Sequence, residues 1–251
     1  MSLQLQNPHS ILAAIDSRPE EVFQVQLQTR APGGAWRDVV EAAKRYKIPV
    51  VRGGDRQDPR RQTRRRQSAE SKTGRTSGSQ ATVKERDGVS LRLLFDQASA
   101  RVGGRGLWLA LDHIQDPHNV GALFRTAAFF GVQGIVLTKD QSAPLNATVY
   151  DVAAGGIESV PFLIQTNLSR TLQSAKEAGL WILGASEHAE ADIGEFALDR
   201  PWMLVLGNEE KGIRRLNLQM CDALCRLTPR GNVTSLNVSV AAGILIATLS
   251  R

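Results

Sequence analysis

The chain has 251 residues, of which 42% are hydrophobic and 22% charged, with a formal net charge of +6, the composition of an ordinary globular protein with a basic bias. No apolar run approaches the roughly 18 residues of a membrane span, and the first residues lack the basic and apolar regions of a secretion signal. We therefore expect neither a membrane partner nor secretion, but a cytoplasmic protein whose basic balance indicates nucleic acid as a partner.

The first fifty residues predict a small α/β unit. Residues 21–28 alternate apolar and polar side chains, which is typical of a half-buried strand. Residues 36–46 have the apolar spacing of a helix, and residues 48–51 predict a further strand.

The positive charge is concentrated in one segment. Nine basic and three acidic residues lie between Arg52 and Arg75, an excess equal to the net charge of the whole protein. A segment of this composition, without aromatic residues, cannot bury enough apolar surface to offset the entropy lost on ordering. We expect residues 52–77 to be mobile, either as a solvated linker or as an arm that binds RNA phosphates and releases their counterions.

From residue 107 onward, continuous apolar runs alternate with helical patterns. Strands are predicted at 107–112, 134–137, 161–164, 180–184 and 202–207, and helices at 119–130, 146–154, 168–178 and 236–249. Strands that are apolar throughout are typical of a mostly parallel sheet covered on both faces. The last helix is apolar nearly all round, which predicts that it is buried.

Three stretches combine polar or glycine residues with the end or the beginning of an apolar run, namely residues 116–127, 204–212 and 229–241. Ligands of open α/β sheets bind where strands end and loops begin. Each stretch alone is explained by an ordinary capped helix or a charged first turn. Together they predict one composite pocket.

The polar residues of these stretches suit an oxygen-rich ligand. Asn119 is placed as the N-cap of a helix, and Arg125 is suited to bidentate contact with a phosphate. Glu209 and Glu210 are predicted to open the helix that follows the strand ending at residue 207, where carboxylates complement the helix dipole. Asn237, like Ser235, lies at the start of a helix too apolar to be exposed, where buried polar groups need partners.

Two glycine-rich segments fail as nucleotide-binding motifs. Residues 103–106 precede a strand, whereas the dinucleotide fingerprint follows one. Residues 207–212 have the glycines of a phosphate loop, but Ile213 and Arg214 stand where Lys and Ser or Thr are required. A dehydrogenase and a P-loop NTPase are therefore disfavoured.

Cys221 and Cys225 are spaced so that a helix would place both on one face, as in half of a metal site. A tetrahedral zinc ion needs two more ligands, and no histidine lies nearby in the sequence. We therefore predict two reduced thiols and no metal.

Taken together, the three stretches closely resemble the motifs of the SpoU (TrmH-type) RNA 2′-O-ribose methyltransferases of the SPOUT superfamily. The resemblance covers residues 107–251 and implies an α/β fold with a mostly parallel sheet and a C-terminal trefoil knot. Residues 1–86 resemble the small α/β RNA-binding domain of the rRNA-modifying branch, with its last strand at 78–83, and residues 87–106 are then a linker. Residues 141–148 and 155–161 are similar to the members that methylate a guanosine of 23S rRNA.

The resemblance implies methyl transfer from S-adenosyl-L-methionine to a ribose 2′-hydroxyl of RNA by a homodimer. It places the cofactor among loops at Gly207, Leu227 and Leu236. The catalytic residues that it implies are Asn119, Arg125, Glu209, Ser235 and Asn237. The family assigns the base role to the arginine, here Arg125. Because a guanidinium is normally never deprotonated, the alternative is that Arg125 orients a phosphate oxygen that takes the proton.

The sequence departs from the family pattern at one point. Family members carry Ile-Pro-Met before the glycine of the third motif, whereas residues 227–231 read Leu-Thr-Pro-Arg-Gly, with the proline one residue later. Two alternatives to an rRNA enzyme stay open: a tRNA 2′-O-methyltransferase, and a non-catalytic RNA-binding or ribosome-assembly factor with the same fold. The presence of Asn119, Arg125, Glu209 and Asn237 argues against a non-catalytic protein.

Overall fold

The protein divides into two compact units, Met1–Glu85 and Arg86–Arg251. The computed structural model describes residues 1–28, 32–52, 78–96, 98, 105–197 and 199–250. The basic segment predicted at 52–77 lies, apart from Arg52, outside the described residues.

The described residues of the first unit form a four-stranded sheet and two α-helices. Its elements are β1 (Ser2–Leu5), α1 (Pro8–Ser17), β2 (Val22–Leu27), α2 (Ala35–Arg45), β3 (Val50–Arg52) and β4 (Gln80–Lys84), with strand order β1-β4-β2-β3. The side chain of Asn7 caps α1 by accepting the N–H of His9 at 2.9 Å. Alternate residues of the strands are buried with the apolar sides of the helices, among them Val25, Val39 and Val83. The predicted strand at 21–28 and helix at 36–46 are confirmed.

The second unit is built on a six-stranded sheet in which every pairing is parallel. Its strands are β5 (Gly106–Asp112), β6 (Gly134–Thr138), β7 (Phe162–Gln165), β8 (Trp181–Ala185), β9 (Pro201–Gly207) and β10 (Ala223–Cys225), in the order β10-β8-β9-β5-β6-β7. The central strands β5 and β9 are buried along almost their whole length. The predicted α/β class and the mostly parallel sheet are confirmed. The sequence could predict them because strands covered on both faces must be apolar throughout.

Seven α-helices of the second unit are described. They are α3 (Leu91–Phe95), α4 (Pro117–Phe129), α5 (Ala147–Ala153), α6 (Gly156–Ser159), α7 (Leu168–Glu177), α8 (Arg215–Leu218) and α9 (Val238–Leu249). Four of them, α4, α5, α7 and α9, match the predicted helices. Across the described ranges of the sequence, none of the helices is long and apolar enough to cross a membrane.

Within the predicted linker 87–106, residues 91–95 form a helix of the second unit, which differs from the prediction for these residues. This helix, α3, begins after Ser90, whose hydroxyl accepts the N–H of Leu93 at 3.2 Å, and buries Leu94 and Phe95 in the core of the second unit. The indole N–H of Trp108 donates to the carbonyl of Leu94 at 3.2 Å. A helix of five residues is too short to show a periodic pattern, which is why the sequence did not predict it.

The last helix is buried on one side only, which also corrects the prediction. Its buried residues are Ala242, Leu245, Ile246 and Leu249, and the helix packs on α4 and β9. On the other side Val240 is 52% exposed and Ile244 is 45% exposed. A helix that is apolar all round and covered on one side leaves an apolar surface for a further contact.

Candidate active site

The predicted site residues follow parallel strands whose carboxyl ends meet at one edge of the sheet. Asp112, the last residue of β5, pairs in register with Gly207, the last residue of β9. The helix α4 follows β5, the turn 208–212 follows β9, and the segment 226–237 follows β10. All three motifs are therefore brought to the edge where open α/β sheets bind their ligands.

One residue from each motif joins a single series of hydrogen bonds. The side-chain amide of Asn119 donates to Glu209 Oε1 at 2.9 Å, and the amide of Asn237 donates to Asn119 Oδ1 at 3.0 Å. Asn119 is buried, whereas Glu209 is exposed. The buried amide thus holds an exposed carboxylate in place, and Oε2 of Glu209 accepts a longer bond from Asn208 at 3.3 Å, its one hydrogen bond among the described residues.

Asn119 acts within α4 and is not its N-cap, contrary to the prediction. The N-cap is Asp116, whose side chain accepts the N–H of His118 at 2.8 Å, and Pro117 is the first helical residue. Because Asp116 already accepts a free N–H at the start of α4, the side-chain amide of Asn119 is available to bond Glu209. Asn237 does cap its helix, since its Oδ1 accepts the N–H of Ser239 at 2.8 Å.

Glu209 lies in a tight turn, not at the start of a helix as predicted. The backbones of Asn208 and Gly212 bond each other in both directions at 3.0 and 2.9 Å, and Gly212 has a φ of +66°. The next helix, α8, begins only at Arg215. A Cβ on Gly207 would lie 2.2 Å from the backbone nitrogen of Ile213, so the turn folds back directly onto the end of β9.

Asp112 anchors the far side of this turn and was not found by the sequence analysis. Its carboxylate has no exposed surface and accepts the N–H of Arg214 at 2.9 Å, the Nε of Arg214 at 2.9 Å and the side-chain amide of Asn217 at 2.8 Å. Asn217 is buried too and accepts the hydroxyl of Ser169 at 2.7 Å. A buried carboxylate needs such partners. The signal in the sequence was a charged residue closing an otherwise apolar strand.

Comparison with known proteins agrees with this geometry. The model of the SpoU rRNA Methylase family matches residues 106–247, more than half of the sequence. The chain belongs to the SpoU family. It is 38% identical over 243 residues to the 23S rRNA (guanosine-2′-O-)-methyltransferase RlmB of Pseudomonas aeruginosa, covering 97% of this chain and 94% of that protein. It is 35% identical over 244 residues to RlmB of Neisseria meningitidis, covering 97% and 92%.

A solved structure of another SpoU methyltransferase has the same fold. AviRb from Streptomyces viridochromogenes, in complex with the cofactor AdoMet, is similar over 100% of this chain and 90% of its own, with a TM-score of 0.75 at 19% identity. At this identity the similarity concerns the fold alone.

The remaining site residues of this SpoU protein lie outside the series of hydrogen bonds. Arg125 is exposed on α4 and forms no ion pair with any residue that the structure describes. Leu227 is half-buried just after β10. Ser235 and Leu236 are exposed in the segment before α9, with Leu236 52% exposed. Their roles stay predictions.

The thiols of the two cysteines are not activated at neutral pH. Burial raises the pKa of both the Cys221 and the Cys225 thiol to about 12, so both stay protonated at neutral pH. Cys225 lies in β10, so the two thiols do not share a helical face. Among the described residues, no group of three or more His, Cys, Asp or Glu side chains is arranged to hold a metal ion.

Proposed function

We propose that this SpoU protein transfers a methyl group from S-adenosyl-L-methionine to the ribose 2′-hydroxyl of a guanosine in 23S rRNA. The observation that carries the proposal is the pair of hydrogen bonds Asn119–Glu209 and Asn119–Asn237, which joins all three motifs at the carboxyl edge of the sheet. The RlmB relatives, which match nearly the full length of the protein, support the choice of rRNA over tRNA.

The residues at this edge fit the cofactor. Gly207 brings bare backbone to the strand end. The apolar side chain of Leu236, the residue before Asn237, is half exposed, so it is available to contact the adenine ring of the cofactor. Leu227 adds a half-buried apolar surface after β10. S-adenosyl-L-methionine, when bound, supplies an electrophilic methyl group. Backbone groups beside these three residues would hold it.

The polar residues then position the ribose. The carboxylate of Glu209, whose Oε1 is fixed by Asn119, borders the position of the 2′-hydroxyl and shapes it, while the single hydrogen of that hydroxyl faces the substrate phosphate. Ser235 and Asn237 border the same position. Arg125, exposed and without an ion-pair partner among the described residues, holds a substrate phosphate whose oxygen takes the hydroxyl proton. In-line placement of the reacting atoms is the main contribution of such a site.

We infer that the last segment threads a trefoil knot. Support comes from the backbone hydrogen bonds between residue 226 and residues 191 and 193 of the loop after β8. Further support comes from the packing of α9 on α4 and β9, which brings the segment after β10 back against the domain. Such threading departs from the rule against knots.

We further propose that residues 1–86, which include the basic segment 52–77, bind the substrate RNA, since the phosphate backbone attracts dense positive charge. A protein that modifies bacterial rRNA works in the cytoplasm, so the cytoplasmic location expected from the sequence is kept as part of this proposal.

A homodimer would cover the exposed side of α9. Replacing Ile244 with Glu should convert a dimer into a monomer, because a charge cannot be buried unpaired in an apolar contact. Sedimentation velocity measures the change. Leu93→Glu, at a residue that is 55% exposed on α3, is the matched control and should leave the dimer intact. A wild-type monomer, or an intact Ile244→Glu dimer, would contradict this arrangement.

Methyl transfer from labelled S-adenosyl-L-methionine to unmodified 23S rRNA and to bulk tRNA, with the product nucleotide mapped, tests the function. We expect label at a guanosine ribose of 23S rRNA, and a loss of about hundredfold in rate for Glu209→Gln, which misplaces the hydroxyl. Label in tRNA alone would favour the tRNA enzyme. Absence of both transfer and cofactor binding would favour the non-catalytic factor.

A further inference from the structure

Asp192 joins the loop after β8 to the segment after β10. Its Oδ2 accepts both the N–H of Thr228 at 3.0 Å and the hydroxyl of Thr228 at 2.6 Å. Its Oδ1 accepts the N–H of Gly194 at 2.9 Å. One carboxylate therefore holds two separate segments together at the carboxyl edge of the sheet.

Leu227 lies between this contact and a second one. The N–H of Arg226 donates to the carbonyl of Ala191, and the N–H of Ile193 donates to the carbonyl of Arg226, both at 3.0 Å. With Thr228 on Asp192, the residues on either side of Leu227 are both fixed to one loop. The nine residues that follow, 229–237, are exposed and lie outside any helix or strand. Leu227 is thus at the boundary between fixed and irregular backbone.

Asp192 is itself held in place. It caps the short 3-10 turn Ile193–Glu195, and its own N–H donates to Glu195 Oε1 at 2.7 Å. The hydroxyl of Thr228, with the N–H groups of Gly194 and Thr228, holds the pKa of the Asp192 carboxyl below its usual range. The carboxylate is therefore ionised at neutral pH and accepts charge-assisted hydrogen bonds, which are the stronger kind.

The N–H and the hydroxyl that bond Asp192 Oδ2 both belong to residue 228, so the contact depends on which residue stands there. A proline there would have neither an N–H nor a hydroxyl, and it would fix the backbone through its ring instead. In this protein the proline comes one residue later, and hydrogen bonds to Asp192 fix the backbone at 228.

We propose that Asp192 is a positioning residue that fixes the backbone at Leu227 for binding of S-adenosyl-L-methionine. The inference rests on the proposed function, in which backbone groups at Leu227 contact the cofactor. Groups that read a ligand must be held within a fraction of an ångström of the productive geometry by the residues around them. Asp192 meets that need without touching the ligand.

Calorimetric titration of the full-length protein with S-adenosyl-L-methionine tests the inference. Asp192→Asn should weaken the Kd about tenfold, since hydrogen bonds to a charged group are lost. Thr228→Val, which keeps the N–H and the shape, should weaken it about threefold, and Thr228→Ser, which keeps both donors, should bind as the wild type does. The Asp192→Asn/Thr228→Val double variant should be weakened by less than the product of the two single effects, because both substitutions remove the same contact.

Asp222→Asn is the matched control. Asp222 also accepts a backbone N–H, from Ile182 at 2.8 Å, and a side-chain donor, Lys176 Nζ at 2.7 Å, but at the opposite, amino end of β8. Its loss should leave the Kd unchanged. Amide hydrogen exchange should show faster exchange at residue 228 in Asp192→Asn and not in Asp222→Asn.

The outcomes separate the inference from the proposed function. A wild-type protein that does not bind the cofactor overturns the proposed function. A wild-type protein that binds, together with equal Kd values for Asp192→Asn and the wild type, overturns the positioning role. A third outcome is that Asp192→Asn and Asp222→Asn both weaken cofactor binding, each in proportion to its loss of thermal stability. Asp192 then has only a structural role, and the inference also fails. If Asp192→Asn does not fold, the Kd values of the two Thr228 variants decide. A Kd about threefold weaker in Thr228→Val than in Thr228→Ser supports the positioning role, and equal values overturn it.

Discussion

Replacing Gly207 with alanine is expected to abolish measurable methyl transfer and to weaken binding of S-adenosyl-L-methionine by about a hundredfold or more. A Cβ at this position would lie 2.2 Å from the carbonyl carbon of Gly212 and 2.2 Å from the backbone nitrogen of Ile213. No side-chain rotation can relieve a contact with backbone atoms. The turn 208–212 must therefore move away from β9 and take Glu209 away from Asn119.

Calorimetry with the cofactor and the methyl-transfer assay together measure this effect. Gly78→Ala is the control, because a Cβ there meets no atom of the described residues within 4 Å and the position has no positive φ. It should bind the cofactor as the wild type does. Wild-type affinity in Gly207→Ala would mean that the turn need not lie against the strand end for the cofactor to bind.

The parts of the fold that the sequence predicted are those determined by local apolar pattern. The buried strands around Trp108 and Leu204 read as continuous apolar runs because both of their faces are covered. The meeting of Asn119, Glu209 and Asn237 could be anticipated because each follows or precedes such a run, and parallel strands end at one edge.

The parts that were missed depend on contacts distant in sequence. Acidic residues after a strand resemble a first helical turn, but the close approach of Gly207 to the backbone of residues 212 and 213 requires a turn at Glu209 instead. Asp112 could not be separated from an ordinary strand end, because its partners lie about a hundred residues away, at 214 and 217. The apolar pattern of α9 also does not reveal how many of its sides the rest of the domain covers.

Arg125 shows a different limit. Its place in the motif and its helix were predicted, and the structure has it exposed on α4. Its expected partner is a phosphate of the RNA, which is not part of the protein, so neither pattern nor fold can fix its role. The guanidinium of Arg125 can donate two hydrogen bonds to one phosphate. A lysine in its place would keep the charge but lose this bidentate contact.

Replacing Asp112 with asparagine is expected to lower the free energy of unfolding by about 2 kcal/mol, the order of a lost hydrogen bond to a charged group. The amide offers one acceptor oxygen where three donors converge, from the backbone N–H and Nε of Arg214 and from Asn217 Nδ2. The cost stays below that of a fully buried broken ion pair, because the side chain of Arg214 is 45% exposed and can turn to water.

Urea unfolding measures this difference, with an unchanged m-value as the sign that only stability has altered. Asp222→Asn is again the matched control, since its ion pair with Lys176 is partly exposed and should contribute about 1 kcal/mol or less. Because Asp112 holds the residues that follow the turn 208–212, methyl transfer should fall more in Asp112→Asn than in Asp222→Asn at a temperature where both are folded. Equal activity in the two variants would show that Asp112 stabilises the domain without placing Glu209, and the position of that carboxylate would then depend on Asn119 and Gly207 alone.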